Sequence, residues 1–367
     1  MSTTTLQKFQ QTITLGGRLS KRCPSELLEG YDQIISTLRF SWTEHHRLLR
    51  RLGAGGQGVV YLTERRGTDN FTLPVALKIF APQRYESVSE YEGAMEGIAR
   101  VAAQVAQIQQ DNLLDVHNFL ERSRIRMMEM EWVDGFDLAR LLTTDMLDRS
   151  RHRVSARRWE YMNNVIVTSG PKQPRLKPGV AVAVLRDVLA ALASLHREGI
   201  VHGDVKPSNI MLKRTGNAKL VDIGSAFEIA DAPPTRTCTP SYAAPEVLEG
   251  GEYTARSDLA SVGYVLVELL AGAPPFAGIE GLRDLLEAKR LMARRLPDIL
   301  PEEVVVNELL MNLCRGLVSP DPSRRFPSAE AADLLEEGAA HFLRQLTMSN
   351  LGSEYDNEIR LWLEELD

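Results

Sequence analysis

Eight residues from His202 to Asn209, reading HGDVKPSN, bring together a carboxylate, an amine and a carboxamide. Asp204, Lys206 and Asn209 are only a few positions apart, and Pro207 restricts the backbone between them. A carboxylate can orient a hydroxyl and accept its proton, an ammonium can neutralise phosphate oxygens, and an amide oxygen can bind a divalent cation. The segment therefore indicates phosphoryl transfer, and its weight depends on the motifs around it.

A second acidic motif, Asp222-Ile223-Gly224, follows at a spacing that fits the same site. Asp222 lies thirteen residues after Asn209, and apolar runs between them predict strands. A strand that turns back would return Asp222 to the position of Asn209. Two oxygen ligands of this kind, completed by phosphate oxygens and water, form a typical Mg²⁺ site.

A glycine-rich segment lies near the start of the patterned part of the chain. Gly53, Gly55 and Gly58 are spaced as in G-x-G-x-x-G, and glycines allow backbone amides to approach phosphate oxygens. The motif alone is weak, because tight hairpins and dinucleotide folds share it. Here a strand-like run that includes Val60 follows the glycines, which argues against a dinucleotide fold. Val60 is then placed to pack on an adenine ring.

Lys78 lies between Leu77 and Ile79 in an apolar run that follows the glycine segment. A buried lysine needs a partner, because an unpaired buried charge is costly. Glu92 and Glu96 lie one turn apart in the helical segment that follows, and the spacing favours Glu96 as the partner. The alternative is an exposed lysine on an edge strand.

The elements that must position these motifs fall into two groups. The first third reads as strands with one helix, and the part after Gly135 reads mainly as long helices. Strands first and helices later, with the chemistry where they meet, predict an α+β chain of two lobes facing a cleft. The strand-like runs are Arg47–Leu52, Val59–Leu62, Val75–Phe80, Asn112–Leu120 and Arg124–Trp132, and the clearest helical segments are Ser89–Gln110 and Leu176–Glu198.

A fifth motif runs from Thr239 to Glu246 with the sequence TPSYAAPE. Glycine loop, strand lysine, H-x-D-x-K-x-x-N, D-x-G and A-P-E, in this order, resemble the eukaryotic-type protein kinase superfamily. The resemblance covers about residues 47–346 and implies a β-rich N-terminal lobe, about 47–133, and a mainly helical C-terminal lobe, about 134–346. The lysine after the aspartate and the T-P-x-Y segment resemble the serine/threonine branch, and soluble bacterial kinases in particular.

The resemblance assigns roles to the matching positions. Asp204 would be the catalytic base, Lys206 would neutralise the γ-phosphate, and Lys78 would contact the α- and β-phosphates of ATP. Asn209 and Asp222 would bind Mg²⁺. The positions implied to contact ATP or to support that contact are Gly53, Gly55, Gly58, Val60, Ala76, Lys78, Glu96, Glu131, Val133 and Asp137.

Further roles follow from the same resemblance. The segment from Glu131 to Val133 would be the hinge that reads adenine through its backbone, and Asp137 would lie near the ribose. Asp258 would brace the catalytic loop, and Arg325 would pair with Glu246.

Two positions depart from the family's pattern. Gly203 replaces the arginine that binds an activation-segment phosphate in many regulated kinases. Phosphorylation of Thr235, Thr237 or Thr239 is therefore expected to be unnecessary for activity. Ile223 replaces the usual phenylalanine, which alters the packing under the helix that carries Glu96.

The bulk composition indicates a globular chain and limits the function classes. The chain has 367 residues, 44% hydrophobic and 25% charged, and its formal net charge of -6 gives no argument for nucleic-acid binding. Cys23, Cys238 and Cys314 lie far apart, which indicates reduced thiols. The most apolar stretch, Val180–Leu195, is interrupted by charge at Arg186. We therefore expect a cytoplasmic protein that binds neither nucleic acid nor membrane.

Three segments lie outside this pattern. Residues 1–46 form an N-terminal extension, whose first 25 residues are typical of a disordered segment or a transit peptide. Residues 143–178 form a basic insertion, and residues 347–367 form an acidic tail whose apolar residues follow helical spacing. Either of the last two could dock a partner protein, although a surface insertion and a helix on the body are the simpler interpretations.

Three functions fit this set of motifs. An ATP- and Mg²⁺-dependent kinase that acts on Ser/Thr hydroxyls of proteins is favoured, because the lysine, the base and the metal ligands are all present. A pseudokinase scaffold usually lacks one of them. A small-molecule kinase usually lacks the T-P-x-Y and A-P-E segment, which shapes a peptide site.

Overall fold

The computed structural model describes residues 13–15, 25–36, 47–233, 236–348 and 354–366. These residues form an N-terminal lobe around a five-stranded antiparallel sheet and a C-terminal lobe built mainly from helices. The predicted α+β fold with two lobes is therefore confirmed.

The N-terminal lobe and the segments that precede it hold the glycine turn and Lys78. In chain order their elements are β1 (Ile13–Leu15), α1 (Ser25–Ser36), β2 (Arg47–Gly55), β3 (Gly58–Arg66), β4 (Thr72–Phe80), α2 (Val88–Val105), β5 (Val116–Arg122) and β6 (Ile125–Glu131). The five-stranded sheet has the order β2-β3-β4-β6-β5. The central strand β4 is buried from Val75 to Phe80, so Lys78 is held in the most protected part of the sheet.

The helix α2 lies between β4 and β5 in the chain and packs against β5. Ser87 caps it by accepting a hydrogen bond from Glu90 N at 3.0 Å. Its buried side chains include Tyr91, Met95 and Ala102, which recur at helical spacing. This stripe fixes the rotation of α2 about its own axis and hence the direction in which its glutamates point.

The C-terminal lobe supplies the other half of the cleft. In chain order its elements are β7 (Gly135–Asp137), α3 (Leu138–Leu141), α4 (Thr144–Arg153), α5 (Ala156–Val165), β8 (Val167–Thr168), β9 (Arg175–Leu176), α6 (Pro178–Arg197), β10 (Ile200–Val201), β11 (Ile210–Lys213), β12 (Ala218–Leu220), β13 (Phe227–Glu228), β14 (Arg236–Cys238), α7 (Pro245–Leu248), α8 (Ala255–Ala271), α9 (Leu282–Ile299), α10 (Glu302–Val305), α11 (Glu308–Val318), α12 (Ala329–Leu334), α13 (Ala339–Met348) and α14 (Tyr355–Glu364).

Two apolar helices, α6 and α8, form the centre of this lobe. Every residue of α8 from Ser257 to Ala271 is buried. By length and composition alone α6 could cross a membrane, but 72% of its most apolar window is buried inside the protein. The apolar run that begins at Val180 is therefore explained by the core of the lobe.

The N-terminal extension is ordered in two places. β1 pairs antiparallel with β14, and α1 buries Leu27, Tyr31 and Ile34. The prediction of a disordered segment is therefore wrong for residues 13–15, whereas the alternative of a transit peptide stays a prediction. A three-residue strand carries too little periodicity to be recognised without its partner, which lies more than 200 residues away in the chain.

The C-terminal helix α14 packs on the basic insertion. Trp362 is buried, and its indole N–H donates to Ser150 Oγ at 3.0 Å. Arg158 of the insertion donates to Glu365 Oε1 at 2.8 Å and to Glu358 Oε2 at 3.0 Å. The predicted amphipathic helix on the body is confirmed, and the two segments considered as docking surfaces bind each other.

Candidate active site

A cavity of about 700 Å³ opens between the two lobes. Its walls come from the turn between β2 and β3, from β4, from the segment after β6 and from the loops at the ends of β11 and β12. The predicted site residues that line it are Gly53, Gly55, Gly58, Val60, Ala76, Lys78, Glu131, Val133, Asp137, Lys206, Asn209 and Asp222.

The outer end of the cavity is formed by the basic insertion and the end of the C-terminal helix. Arg149 and Leu366 line it, and Arg149 Nη2 donates to Leu366 O at 3.3 Å. Asp137 lies in the same cavity and caps α3, because its Oδ1 accepts from Arg140 N at 2.9 Å. The terminal segments of the chain therefore contribute to the wall of the site.

The fold requires glycine at only one of the three glycine positions in the turn. Gly58 has φ +143°, and a Cβ there would lie 2.0 Å from Ile79 O, so the fold itself requires glycine. A Cβ at Gly53 or Gly55 would meet no atom within 4 Å. The fold does not require glycine at these two positions, and their open space lets an anionic ligand approach the backbone amides.

A short hairpin brings Asn209 and Asp222 to the same place. β11 pairs antiparallel with β12, and Val221 N donates to Asn209 O at 2.8 Å. The predicted return of the chain is therefore confirmed. The side-chain amide nitrogen of Asn209 donates to Asp204 O at 2.8 Å, which leaves the amide oxygen to face another group.

The donor set at this place fits Mg²⁺. Asp222 accepts hydrogen bonds from Lys78 and from Gly224 N through Oδ1, so Oδ2 remains for a cation among the contacts of the described residues. One carboxylate and one amide oxygen are hard ligands of the kind that Mg²⁺ takes together with phosphate oxygens. Within the described ranges no group of three or more His, Cys, Asp or Glu side chains could hold a metal, so a bound ion would depend on its phosphate ligands.

Asp204 lies at the centre of a buried hydrogen-bonded group. Its Oδ2 accepts from Lys206 Nζ at 2.7 Å, and its Oδ1 accepts from Thr239 Oγ1 at 2.7 Å. Lys206 Nζ also donates to Thr239 Oγ1 at 2.9 Å. The carboxylate is thus oriented by side chains from two separate segments of the chain.

Asp258 fixes the backbone on which Asp204 sits. It is fully buried and accepts hydrogen bonds from His202 N at 2.8 Å and from Gly203 N at 3.1 Å. His196 Nε2 contacts the same carboxylate at 2.9 Å. Burial alone would raise the pKa of Asp258, but the hydrogen bonds and charge of His196 and His202 outweigh it and hold that pKa below its usual value.

The model of the protein kinase domain matches residues 46–336 of the chain. The chain belongs to the protein kinase family. The match contains the glycine turn, Lys78, Asn209 and Asp222, which line the cleft, and Asp204, which contacts Lys206 in the cavity wall. The recognition made from the ordered motifs is therefore confirmed.

The relatives of this kinase include bacterial serine/threonine kinases. It is 32% identical over 288 residues to the serine/threonine-protein kinase PknD of Mycobacterium tuberculosis, covering 77% of this chain and 38% of that protein. It is 28% identical over 292 residues to PrkC of Bacillus subtilis, covering 78% and 39% respectively. It is 33% identical over 240 residues to PknL of Mycobacterium tuberculosis, covering 63% and 50%. The matched part thus spans half or less of each relative's length.

In this kinase Lys78 is bound by Asp222 and by Gln57 of the glycine turn. Lys78 Nζ donates to Gln57 Oε1 at 2.7 Å and forms a closer contact with Asp222 Oδ1. Gln57 Nε2 donates in turn to Ser225 Oγ at 2.6 Å. Although burial raises the pKa of Asp222, the charge of Lys78 and its hydrogen bond lower it to about 2. Sequence reasoning missed Gln57, although the residue lies inside the glycine motif.

The predicted pair of Lys78 with Glu96 is not formed. Glu96 is exposed, and Glu92 binds Arg124 Nη2 at 3.0 Å. The reason is the rotation of α2, whose buried stripe runs through Met95 and leaves both glutamates on the outer side. The spacing correctly placed the two glutamates on one face but could not tell which way the face points.

Gly203 and Ile223, the two departures from the family's pattern, both lie in tightly packed surroundings. Gly203 has φ +81°, and a Cβ there would lie 2.6 Å from Ser225 O. Any larger residue would therefore push the catalytic loop away from the D-x-G segment. Ile223 is buried in the core, while Asp222 before it adopts a left-handed conformation with φ 67°. That conformation turns the carboxylate of Asp222 into the cleft.

Glu131 of the hinge and Glu246 of the A-P-E motif are each paired with a buried basic residue. Lys219 binds the carboxylate of Glu131, which also accepts from Asp115 N at 2.7 Å. The side chain of Glu131 is thus occupied, and its backbone N–H donates to Asp115 O at 3.0 Å. The predicted pair of Arg325 with Glu246 is present at 2.6 and 2.8 Å.

Lys289 is a further buried residue, and sequence reasoning missed it. Its Nζ donates to Ser241 O at 2.8 Å and lies 4.0 and 4.1 Å from the ring centroids of Tyr264 and Phe276. Burial lowers its pKa well below the usual value. One signal was available, because Lys289 lies four positions after the buried Leu285 and so falls in the apolar stripe of α9.

Proposed function

We propose that this kinase transfers the γ-phosphate of ATP to Ser or Thr hydroxyls of protein substrates, with Asp204 as the base. The observation that carries the proposal is the hydrogen-bonded group of Asp204, Lys206 and Thr239, of which Lys206 lines the same cavity as Lys78 and Asp222. The names of the relatives support a protein acceptor, because each is a serine/threonine-protein kinase.

In the proposed reaction Asp204 orients the acceptor hydroxyl and takes its proton. The hydroxyl oxygen forms a bond to the γ-phosphorus, the bond from that phosphorus to the β–γ bridging oxygen breaks, and ADP leaves. Lys206, which contacts Asp204 at 2.7 Å, is within reach of the transferred group and would neutralise its charge. Positioning and charge stabilisation would provide most of the rate enhancement.

ATP would lie along the cavity with its adenine at the hinge. The backbone from Glu131 to Val133 would read the base, Val60 and Ala76 would cover it, and Asp137 would lie near the ribose. Lys78 would hold the α- and β-phosphates. Mg²⁺ held by Asn209 and Asp222 would neutralise phosphate charge when bound.

We further propose that activity does not require phosphorylation of the activation segment. Gly203 provides no guanidinium for a phosphate, and a Cβ at this position would lie 2.6 Å from Ser225 O. Thr237 is already engaged, since its Oγ1 donates to Ser225 Oγ at 2.7 Å. Thr235 lies outside the described residues. Replacing Thr235 and Thr237 together by alanine should leave activity, and loss of activity in a folded double variant would contradict this.

The cellular setting proposed for this kinase is the cytoplasm, without nucleic-acid or membrane ligands. Cys238 and Cys314 support a reducing compartment, because both are free and buried. The basic insertion and the acidic tail are less suited to separate docking partners than their charge indicated. Arg158 is engaged by Glu358 and Glu365 within the chain.

The test of the proposed function is Asp204→Asn, assayed with γ-labelled ATP and a mixed peptide library. We expect kcat to fall by about 10²- to 10⁴-fold while nucleotide binding persists, because only the proton acceptor is lost. The matched control is Asp134→Asn, since Asp134 lines the same cavity but is half-exposed and pairs with Arg214 at its edge. Unchanged kcat in Asp204→Asn would exclude Asp204 as the base. Nucleotide binding by the unmodified chain without transfer to any acceptor would indicate a scaffold instead.

A further inference from the structure

The pairing of β1 with β14 joins the N-terminal extension to the activation segment, which is the stretch between the D-x-G and A-P-E motifs. Ile13, Thr14 and Leu15 pair in antiparallel register with Cys238, Thr237 and Arg236. Each strand is only three residues long, and the two form a separate two-stranded sheet. Backbone pairing of this kind accepts many side-chain sequences, because main-chain groups provide the contacts.

β14 leads directly into the proposed catalytic group. The residue after it is Thr239, whose hydroxyl donates to Asp204 Oδ1 at 2.7 Å. β14 thus ends one residue before the side chain that contacts the base, and a peptide paired with β14 would run past that residue in extended form.

β14 is also connected to the lysine on the other side of the cleft. Thr237 Oγ1 donates to Ser225 Oγ, which accepts from Gln57 Nε2, and Gln57 Oε1 accepts from Lys78 Nζ. The three distances are 2.7, 2.6 and 2.7 Å. The strand that holds β1 thus shares one set of hydrogen bonds with the phosphate-binding side of the site.

We propose that β14 is the docking strand for the extended acceptor peptide and that Ile13–Leu15 occupies it in this chain as an intramolecular competitor. The proposal rests on the proposed function, because it concerns a protein acceptor. An attached segment has a high effective concentration, of the order of millimolar for a short flexible connection, so a weak three-residue pairing can still compete. Its shortness also lets an incoming peptide displace it.

The test uses the full chain with Thr14→Pro, which removes a backbone N–H and disfavours a paired strand at its centre. The matched control is Thr14→Val, which keeps a β-branched residue in the strand and removes only the hydroxyl. With an acceptor peptide from the library screen, we expect Thr14→Pro to lower the peptide KM by roughly threefold to tenfold as the competitor is lost. Thr14→Val should keep the peptide KM of the unmodified chain.

A second measurement uses a synthetic peptide that copies residues 10–18 with both threonines replaced by valine. The fluorescently labelled peptide should bind Thr14→Pro more tightly than the unmodified chain, and the unlabelled peptide should inhibit competitively against the acceptor peptide. Equal KM values and equal peptide binding in the two proteins would overturn the proposal. If neither the unmodified chain nor the Thr14 variants transfer phosphate, the proposed function fails. The binding comparison would still decide whether β14 is a docking strand.

Discussion

The two sides of the cleft are held by different kinds of contact. The catalytic floor, which consists of Asp204, Lys206, Thr239 and Asp258, is buried and bonded through several side chains and backbone amides. The roof, which consists of the glycine turn, Lys78 and α2, is bonded through groups that line the cavity itself. A ligand in the cavity would compete with the contacts of the roof and leave those of the floor intact.

The contacts of the floor therefore form when the chain folds, whereas the contacts of the roof can rearrange when a nucleotide binds. Breaking a buried bond of the floor leaves unsatisfied groups, which destabilises the fold. Lys78 of the roof is buried, but its partner Asp222, which follows β12 of the C-terminal lobe, has a side chain that is 34% exposed, so their contact can rearrange. Substitutions on the floor should therefore affect stability and activity together, and substitutions of Gln57 and Glu96 on the roof should affect activity alone.

The largest effect is expected from Asp258→Asn on the floor. The carboxylate accepts hydrogen bonds from two backbone amides, and weakening them should lower the free energy of unfolding by about 2–4 kcal/mol. Because the folded pKa of Asp258 is depressed, its charge stabilises the fold above the unfolded pKa of about 4, and this is lost as the pH falls through the folded value. Denaturant titrations from pH 7 to acid should show less pH dependence in the variant. Identical unfolding midpoints would mean that Asp258 does not hold the floor.

The next effect is expected from Gly203→Ala, compared with Gly250→Ala. Both glycines have φ +81°, but a Cβ at Gly250 would meet no atom within 4 Å, whereas at Gly203 it would lie 2.6 Å from Ser225 O. We expect Gly250→Ala to cost about 1–2 kcal/mol of unfolding free energy, from backbone strain alone. Gly203→Ala should cost about 1–3 kcal/mol more and should reduce kcat. Equal costs would show that the catalytic loop tolerates the added methyl group.

A smaller effect, confined to activity, is expected from Glu96→Gln on the roof. Glu96 is exposed, so the free energy of unfolding should change by less than about 0.5 kcal/mol. If nucleotide binding turns α2 and brings Glu96 to Lys78, kcat should fall by about tenfold, which is ~1.4 kcal/mol. The control Glu92→Gln breaks only the half-exposed contact with Arg124 and should change neither quantity. Wild-type kcat in Glu96→Gln would mean that the observed rotation of α2 is the working one.

The smallest effect is expected from two substitutions of Gln57, which should change the KM for ATP in opposite directions. Gln57→Ala removes a group that competes with phosphate for Lys78, so the KM for ATP should fall by up to about fivefold, the equivalent of ~1 kcal/mol. Gln57→Glu should raise the KM for ATP, because a carboxylate binds the ammonium more strongly. Initial-rate measurements at varied ATP decide this. A shift in the same direction for both would show that Gln57 does not compete with the nucleotide.

The sequence predicted the floor better than the roof because of where the determining contacts lie. Asp204, Asn209 and Asp222 lie within one short stretch of chain, so their spacing and the strands between them are enough to bring them together. Glu96 depends on the rotation of a helix, which is set by packing against residues far away in the sequence. The same holds for Lys289, which is defined by the aromatic rings around it.

The terminal segments show the limit of sequence reasoning in another way. Charge patterns singled out the basic insertion and the acidic tail, but composition could not indicate that Arg158 and Glu358 bind each other. β1 was not recognised, because the strand is stabilised by β14 and not by its own residues.

The outer wall of the cavity has a consequence for the design of inhibitors. Leu366 lies beyond residues 46–336, which the family model covers, and it contacts Arg149 of the insertion. Compounds confined to the hinge would meet surfaces that protein kinases share. A compound that extends past Asp137 with an acidic group for Arg149 and an apolar group for Leu366 would contact one residue, Leu366, that lies outside the shared domain. The segment at the end of α14 therefore offers a contact for selective inhibitors.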